Sequence, residues 1–593
     1  MLTATTLLAV VSIVLLFVMV MAFALPVFSR GLSQDGGTLF SWTWNTGQKQ
    51  YGILSMVAGS LILAVSATVC AWPLALGLCG LTISGQGGGR TSRWFLASLS
   101  ALIRFMTAVP TVIYGFVAVF ILVPLMRTAL GRGSGLGLAS AGLVLTVLIL
   151  PTMVLIMEAG LKKRYERVWL DSAALGFGGL ATFWHWVLPQ SGSALISALV
   201  LGFGRALGDT MISLMLAGNA PQAPAALSDS FRTLTAHMAL VTANEAGGDA
   251  YNSLFAAGAI LLGISCGVSL AVRAIRRERR PDDPERGLTS LPPSSGLLRL
   301  TDLAGKTGPK LLMILGGAGG LICLFALAAI LGLLVYRSWG HLNLQLFFGD
   351  VSPLEAVSGR RPVWDGIWPA CVGTLSLVGL TMLFVLPPGL GCGIYLAEYA
   401  GPGQRKYLGA LMDMAAGVPS IVMGLFGFTL IVMLRRFLPG ANTCLLLAAF
   451  CLSLLVLPVL VSATREAVTA VPGELRLSMA ALGFSKVQTI RLAVLPTASR
   501  GILGGIILSL GRAAEDAAVI MLTGAVANAG FFKGLWAKFQ ALPFTIYYTA
   551  AQYQTRAELD RGFGAALILL IMSAALFSGA QFIERRYSRG LKG

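Results

Sequence analysis

Two arginines stand inside stretches that otherwise have the composition of membrane spans: Arg205 in WVLPQSGSALISALVLGFGRALGDT (186–210) and Arg512 in AVLPTASRGILGGIILSLGRAAEDA (493–517). Each is followed four residues later by an acid, Asp209 or Asp516, and the second stretch adds Glu515. A charge in hydrocarbon costs roughly 2.5–3.5 kcal/mol on insertion scales, so it marks a pathway or a partner and should point inward, away from lipid. Arginine stays protonated, and its planar fork meets two oxygens of an oxyanion at once. The pattern suits a polar pathway or a partner within the membrane. Each acid lies one helical turn from its arginine on the same face, placed to neutralise it when no anion is present. The alternative is that Arg205–Asp209 and Arg512–Asp516 are structural pairs that brace helix packing.

The two stretches are copies. Pro151 and Pro458, Gly176 and Gly483, Pro189 and Pro496, Arg205 and Arg512, and Asp209 and Asp516 all lie 307 positions apart. A constant register over that distance means two homologous halves. Glu515 has no acidic mate in the first half, where Gly208 stands.

The elements that must position these groups are membrane helices. Hydrophobic residues make up 56% and charged ones 11% of the 593 residues, against about 25% charged in soluble proteins. Spans of about 20 apolar residues are expected near 4–29, 51–84, 96–126, 135–158, 190–217 and 253–275. The second half repeats them near 311–336, 367–397, 407–434, 441–463, 498–523 and 563–582. The fold class is therefore all-α and polytopic, with about twelve spans in two parallel six-helix repeats. An even number of spans per half returns both chain ends to one side and makes the repeats parallel rather than inverted. The first stretch lacks a basic start and is about twice as long as a signal core, so it reads as a retained helix.

The formal charge of +18 sits mostly in loops and at the end of the chain. Lys162, Lys163, Arg164 and Arg167 share one loop; Arg276, Arg277, Arg279 and Arg280 share another; Arg585, Arg586, Arg589 and Lys592 share the tail. The positive-inside rule places these in the cytoplasm with both termini, which leaves Arg360, Arg361, Arg435 and Arg436 outside. The charge therefore implies a membrane, not nucleic acid. All eight cysteines lie in or at the edge of apolar stretches without a CxxC pair, and the three histidines are far apart. No metal site follows. No catalytic triad or paired catalytic carboxylates are visible either.

Residues 276–310, with RRERRPDDPERGLTSLPPSSG, cannot bury a core and read as a cytoplasmic linker. It joins an N-terminal half (1–275) to a C-terminal half (311–593). Ala304-Gly305-Lys306-Thr307 looks like the end of a nucleotide-binding loop, but Leu300 stands where the first glycine belongs and no strand precedes it. Proline and a hydroxyl recur in mid-span at Val109-Pro110-Thr111, with Tyr114 a turn on, and at Val418-Pro419-Ser420. These are either broken helices that line a path or plain proline kinks.

Before each arginine helix the chain carries Ala-Ala-Leu-Gly-Phe and a Leu-Pro pair, at 173–177 with 188–189 and at 480–484 with 495–496. A short amphipathic helix, a glycine stop and a proline entering the next span fit both. This resembles the cytoplasmic coupling loop of ABC importer permeases. The resemblance assigns Asp171, Ser172, Ala173, Ala174 and Gly176, with Ser478, Met479, Ala480, Ala481 and Gly483, to docking on an ATP-binding subunit. The family's Glu-Ala-Ala is replaced by Leu170-Asp171-Ser172 and Leu477-Ser478-Met479.

Tyr395-Leu396-Ala397-Glu398-Tyr399-Ala400 and Gly417-Val418-Pro419-Ser420 in half two resemble the A-type permease subunit of phosphate-specific ABC transporters. Val109-Pro110-Thr111-Val112-Ile113-Tyr114-Gly115 and Gly204-Arg205-Ala206-Leu207-Gly208-Asp209-Thr210 in half one resemble the C-type subunit, which typically has Glu where Asp209 stands. Half one has a Ser/Gly-rich segment, Ser84 to Gly89, in place of the acidic and aromatic one.

The resemblance implies a natural fusion of two permease subunits with the type I importer fold, in a bacterial inner membrane. It further implies two copies of a partner ATPase holding ATP and Mg, an outer-side phosphate-binding protein, and no enzymatic activity or cofactor in this chain. The candidate pathway residues are Arg205, Asp209, Arg512, Glu515, Asp516, Thr111, Tyr114 and Ser420. A permease for sulfate or molybdate, or an ion-driven transporter, are the alternatives.

Overall fold

The computed structural model describes residues 2–31, 39–85, 90–244, 248–277, 307–357 and 360–590. The linker expected at 276–310, apart from its ends, and residues 86–89 lie outside them. Among the described residues, eleven helices are long and apolar enough to cross a membrane, or twelve when Pro402–Ala416 and Ser420–Leu434, bent by 96°, count as one. Their outward faces carry unpaired apolar side chains, such as Leu7, Leu8, Val11 and Val18 on the first helix and Leu321, Leu324 and Phe325 on the first helix of half two. Large apolar residues on the outside are what a lipid solvent selects.

The halves are woven together. Helix Leu2–Gly31 packs on Trp368–Glu398 of the other half and on Gly248–Arg277 of its own. Reciprocally, Gly308–Ser338 packs on Leu54–Ser84 and on Arg556–Gly590. Small residues permit the approach, because lipid offers helices no hydrophobic drive and close backbone packing must supply the attraction. A Cβ at Gly77 would lie 2.4 Å from the Gly316 nitrogen, and one at Gly391 would lie 2.1 Å from Thr5 Oγ1. Across the halves, Arg273 Nη1 also pairs with Asp413 Oδ2 at 2.9 Å.

Several predicted spans are not single helices. The span expected at 96–126 is two helices, Arg90–Met106 and Thr111–Leu130, and that at 407–434 is likewise two. Pro110 and Pro419 have ψ of 136° and 142°. A proline cannot donate the helix hydrogen bond, and its ring pushes the residue before it out of the helical region. The spans at 190–217 and 498–523 break at the acids: Gly192–Gly208 is followed by Met211–Leu216, and Leu495–Glu515 by Ala518–Thr523.

Each arginine helix is entered through a widened turn, Phe183–Val187 or Ile490–Val494, again 307 positions apart. The amide of Leu188 reaches back five residues to Phe183 O at 2.9 Å, immediately before Pro189. The missing N–H of that proline explains the shift in hydrogen-bond register. The stretches 218–252 and 524–562, before the last span of each half, are more than connections. Each folds a short helix inward, Leu234–Asn244 or Leu542–Gln552, and pins its start on the preceding spans. Leu234 N donates to Ser60 Oγ at 2.7 Å, and Leu542 N to Thr374 Oγ1 at 2.9 Å.

Candidate functional site: a two-arginine cavity and two elbows

The arginine helices occupy equivalent places. Gly192–Gly208 packs against Leu138–Ala174 and Gly248–Arg277; Leu495–Glu515 packs against Leu445–Thr469 and Arg556–Gly590. Where their ends meet, a cavity of about 300 Å³ is lined by Arg205, Asp209, Thr210, Arg512, Glu515 and Asp516. Both proline turns contribute to the wall, through Thr111 on one side and Val418, Pro419 and Ser420 on the other. Both breaks therefore face this cavity. Five ionisable side chains from the two halves, two arginines and three acids, converge on one space.

The acids do not do what their spacing suggested. The helices end at Gly208 and Glu515, and Asp209 and Asp516 have extended backbones, with ψ of 128° and 122°. Among the described residues, no direct ion pair joins either acid to its arginine. Asp209 Oδ2 instead accepts from Ile212 N at 2.8 Å, and Asp516 Oδ1 from Val519 N at 2.9 Å. Each carboxylate caps the short helix that follows, where orphan amides and the helix dipole favour negative charge. The arginines are thereby left facing the cavity, and Arg205 Nε has no hydrogen-bond partner. Thr210, only 3% exposed, likewise keeps its hydroxyl unpartnered at the cavity wall.

Tyr114 is not brought to the wall. Its hydroxyl donates to Met106 O at 2.9 Å, bracing the turn at Pro110 from behind. Thr152, Ser265 and Ser269 line the cavity and were not singled out by sequence. Their signal, hydroxyls on otherwise apolar spans, is too common in membrane helices to select them.

The two elbows before the arginine helices end alike. Gly176 and Gly483 both have φ of +82°, with open space where a Cβ would stand. Gly176 N donates to Ala173 O at 3.0 Å and Phe177 N to Ser172 O at 3.0 Å. In half two, Gly483 N donates to Ala480 O at 3.0 Å and Phe484 N to Met479 O at 3.1 Å. This is a left-handed glycine stop, which satisfies the last carbonyls of the helix. The glycines are required by conformation, not by crowding.

Leu170 and Leu477, and Leu175 and Leu482, stand 69–75% exposed at equivalent places on the two elbows. Asp171, Ala173 and Ala174 are exposed with them, as are Ser478, Ala480 and Ala481, while Met479 is half-buried. Ser172 departs from expectation. It is buried, and its hydroxyl lies 2.9 Å from Thr182 Oγ1, so it clips the elbow shut from inside. Half one also has no separate amphipathic helix. Its elbow is the last turns of the long span helix Leu138–Ala174, whereas half two inserts a separate helix, Gly473–Ala481.

The comparisons with known proteins give the family. The family described as "binding-protein-dependent transport system inner membrane component" matches residues 79–280 and again 389–592. The chain belongs to this family. Among its relatives, the phosphate transport system permease protein PstA 1 of Mycobacterium tuberculosis (strain CDC 1551 / Oshkosh) is 38% identical over 222 residues. That match covers 37% of this chain and 70% of the relative. PstC 1 of Mycobacterium bovis is 26% identical over 323 residues, covering 48% of this chain and 95% of the relative.

The PstA and PstC relatives match different parts of the chain, which is a fusion of two permease subunits. Among solved structures, the MetNI methionine ABC transporter in an inward-facing form is similar at 18% identity, with a TM-score of 0.29. It covers 40% of this chain and 99% of that one. As a multi-pass permease of this family, the chain is a transport subunit that works with an ATPase and a substrate-binding protein.

Proposed function

We propose that this chain is the complete translocation pathway of an ATP-driven importer for inorganic phosphate. The observation that carries the reading is the convergence of Arg205 and Arg512, from equivalent helices, on one cavity inside a permease whose relatives are phosphate transport system permeases. Phosphate is an anion at neutral pH and needs a water-accessible cavity with fixed positive charge. Two forked donors, neither held in a direct ion pair, supply it. Asp209 and Asp516 stay committed to their helix caps. Their negative charge, with Glu515, keeps the arginines from holding the anion too tightly.

In this reading a binding protein on the outer side delivers phosphate. Two copies of a separate ATP-binding subunit, which hold ATP and Mg, grip the elbows around Gly176 and Gly483. The paired exposed leucines support this, since exposed apolar side chains rimmed by polar ones suit a docking surface. ATP binding and hydrolysis then switch the cavity between the two sides, and this chain contributes neither a cofactor nor hydrolysis. The basic elbows favour placing them, both termini and the linker 276–310 between halves 1–275 and 311–593 on the cytoplasmic face of the inner membrane.

The test is uptake in cells or proteoliposomes carrying Arg205→Ala, Arg512→Ala or both, with membrane insertion confirmed. Phosphate uptake is expected to be lost. Unchanged uptake by the double variant would reject the pathway role of the arginines, and uptake of sulfate or molybdate in place of phosphate would reject the substrate.

A further inference from the structure

Glu515 is the one charged group at the cavity that the repeat does not explain. Its mate, Gly208, has no side chain, and a Cβ there would already touch Pro419 at 3.7 Å. Glu515 closes the second arginine helix with its carboxylate at the cavity wall. Unlike Asp209 and Asp516, it accepts no backbone amide, and it forms no ion pair or hydrogen bond with any described residue. Around it stand Arg205, Arg512, Asp209 and Asp516, and beside Asp209 the unpartnered hydroxyl of Thr210.

We infer that Glu515 is a specificity-determining residue that admits oxyanions carrying an O–H group and rejects those without one. This rests on the phosphate reading of the site and deepens it. When ionised, the Glu515 carboxylate can only accept hydrogen bonds, whereas the two guanidinium groups can only donate them. A tetrahedral oxyanion seated between them must therefore present bare oxygens to the arginines and a proton to Glu515. Phosphate and arsenate carry at least one O–H near neutral pH. Sulfate has the same shape but carries none, and would set a bare, doubly charged oxygen face against Glu515 in a cavity whose fixed charges already include more acids than bases. A site that leaves a buried polar group unpaired against the wrong ligand discriminates strongly.

The experiment uses the full chain in lipid nanodiscs with radiolabelled phosphate, competed by unlabelled phosphate, arsenate or sulfate. The wild type is expected to lose label to arsenate about as readily as to phosphate, and to require at least about 100-fold more sulfate. Glu515→Gln, whose amide also donates, should bring sulfate to within about 10-fold of phosphate, with phosphate itself binding more weakly than to the wild type. Glu515→Gly, the residue type found at 208, checks the result independently of how glutamine folds there. An unchanged sulfate-to-phosphate ratio in both variants would overturn the role of Glu515 and leave the site standing. Absence of phosphate binding in the wild type, equal to that of an Arg205→Ala/Arg512→Ala control, would overturn the site reading itself and the specificity proposal with it.

Discussion

The two elbows solve one mechanical problem with different chemistry. In half one Tyr165 stacks on Trp169, with ring centroids 5.6 Å apart, and donates to Ser84 O at 3.3 Å. Gly179 lies so close to Ser84 O that a Cβ would come within 2.5 Å of it. In half two the positions equivalent to Trp169 and Gly179 are Arg476 and Lys486. Arg476 Nη2 pairs with Glu398 Oε1 at 2.7 Å, and Nε with the same oxygen at 3.1 Å. Lys486 reaches Glu398 O at 2.6 Å and lies over the Tyr399 ring at 4.5 Å.

Ser84 and Glu398 are themselves equivalent, 314 positions apart like Ser60 and Thr374, which both receive the amide of a short inward helix. So each elbow is tied to the end of its half's second helix, once by aromatic packing and helix continuity, once by charge. Where the chain runs on without a break, rigidity comes with the backbone. Where Pro472 opens a new helix, an ionic tie replaces it. The acidic and aromatic segment that half one lacks is the receptor for that tie.

The largest expected effect follows from breaking the ionic tie. Glu398 is only 10% exposed at its side chain and Arg476 28%, so Arg476→Ala strands a mostly buried carboxylate. The cost is about 2–3 kcal/mol, between a surface pair and a fully buried one. Arg476 also donates to Val468 O at 2.9 Å, a fork that lysine does not reproduce, so Arg476→Lys recovers little. Thermal melting of the purified chain and ATPase stimulation by the binding protein should both fall. High salt should weaken the second elbow modestly, since the pair is only partly exposed, and leave the first unaffected, because stacked rings are not screened. Equal salt sensitivity in Arg476→Ala and the wild type would remove the ionic half of the contrast.

Much of this frame was legible in the residues, and the gaps have physical causes. The register of 307, the Leu-Pro entries, the glycine stops and the meeting of both arginines at one cavity all follow from residue types that tolerate few alternatives. The break at Asp209 was not legible, because apolar residues resume at Met211 directly after Gly208-Asp209-Thr210 and only the ψ of Asp209 turns extended. That single change removed the expected pairing of acid with arginine and turned both acids into caps. Arg476 and Glu398 were invisible as a pair. They lie far apart in sequence, and each alone reads as an ordinary charge at a membrane edge. Ser172 was assigned to a partner-facing surface by the resemblance, but the helix phase set by the long span turns it inward onto Thr182.

Next in size is the pair of glycines. Alanine at a left-handed position costs about 1–2 kcal/mol, and neither site offers a compensating contact, since nothing surrounds the added Cβ. Gly176→Ala and Gly483→Ala should therefore cost nearly the same, despite the different anchors beneath them. The readout is retention of the ATPase subunit on affinity purification of the complex. A clearly larger loss at Gly483 would show that the ionic elbow depends on its stop more than the continuous one does.

The smallest effect discriminates most finely. Ser172→Ala removes the clip to Thr182, but Thr182 keeps its own bond to Gly178 O at 3.1 Å. The Ser172 hydroxyl also donates to Trp169 O at 3.0 Å within its own helix, so the variant loses both contacts but orphans no side-chain group, a net cost of about 1 kcal/mol. Ser478, at the place equivalent to Asp171, is exposed and only returns its hydroxyl to Glu474 O at 2.9 Å in its own helix. Ser478→Ala should be neutral or slightly stabilising, because alanine is the better helix former at an exposed site. Melting of the two variants in detergent separates the cases. If both shift alike, Ser172 is not holding the first elbow closed, and aromatic stacking at Tyr165 and Trp169 must carry that anchor alone.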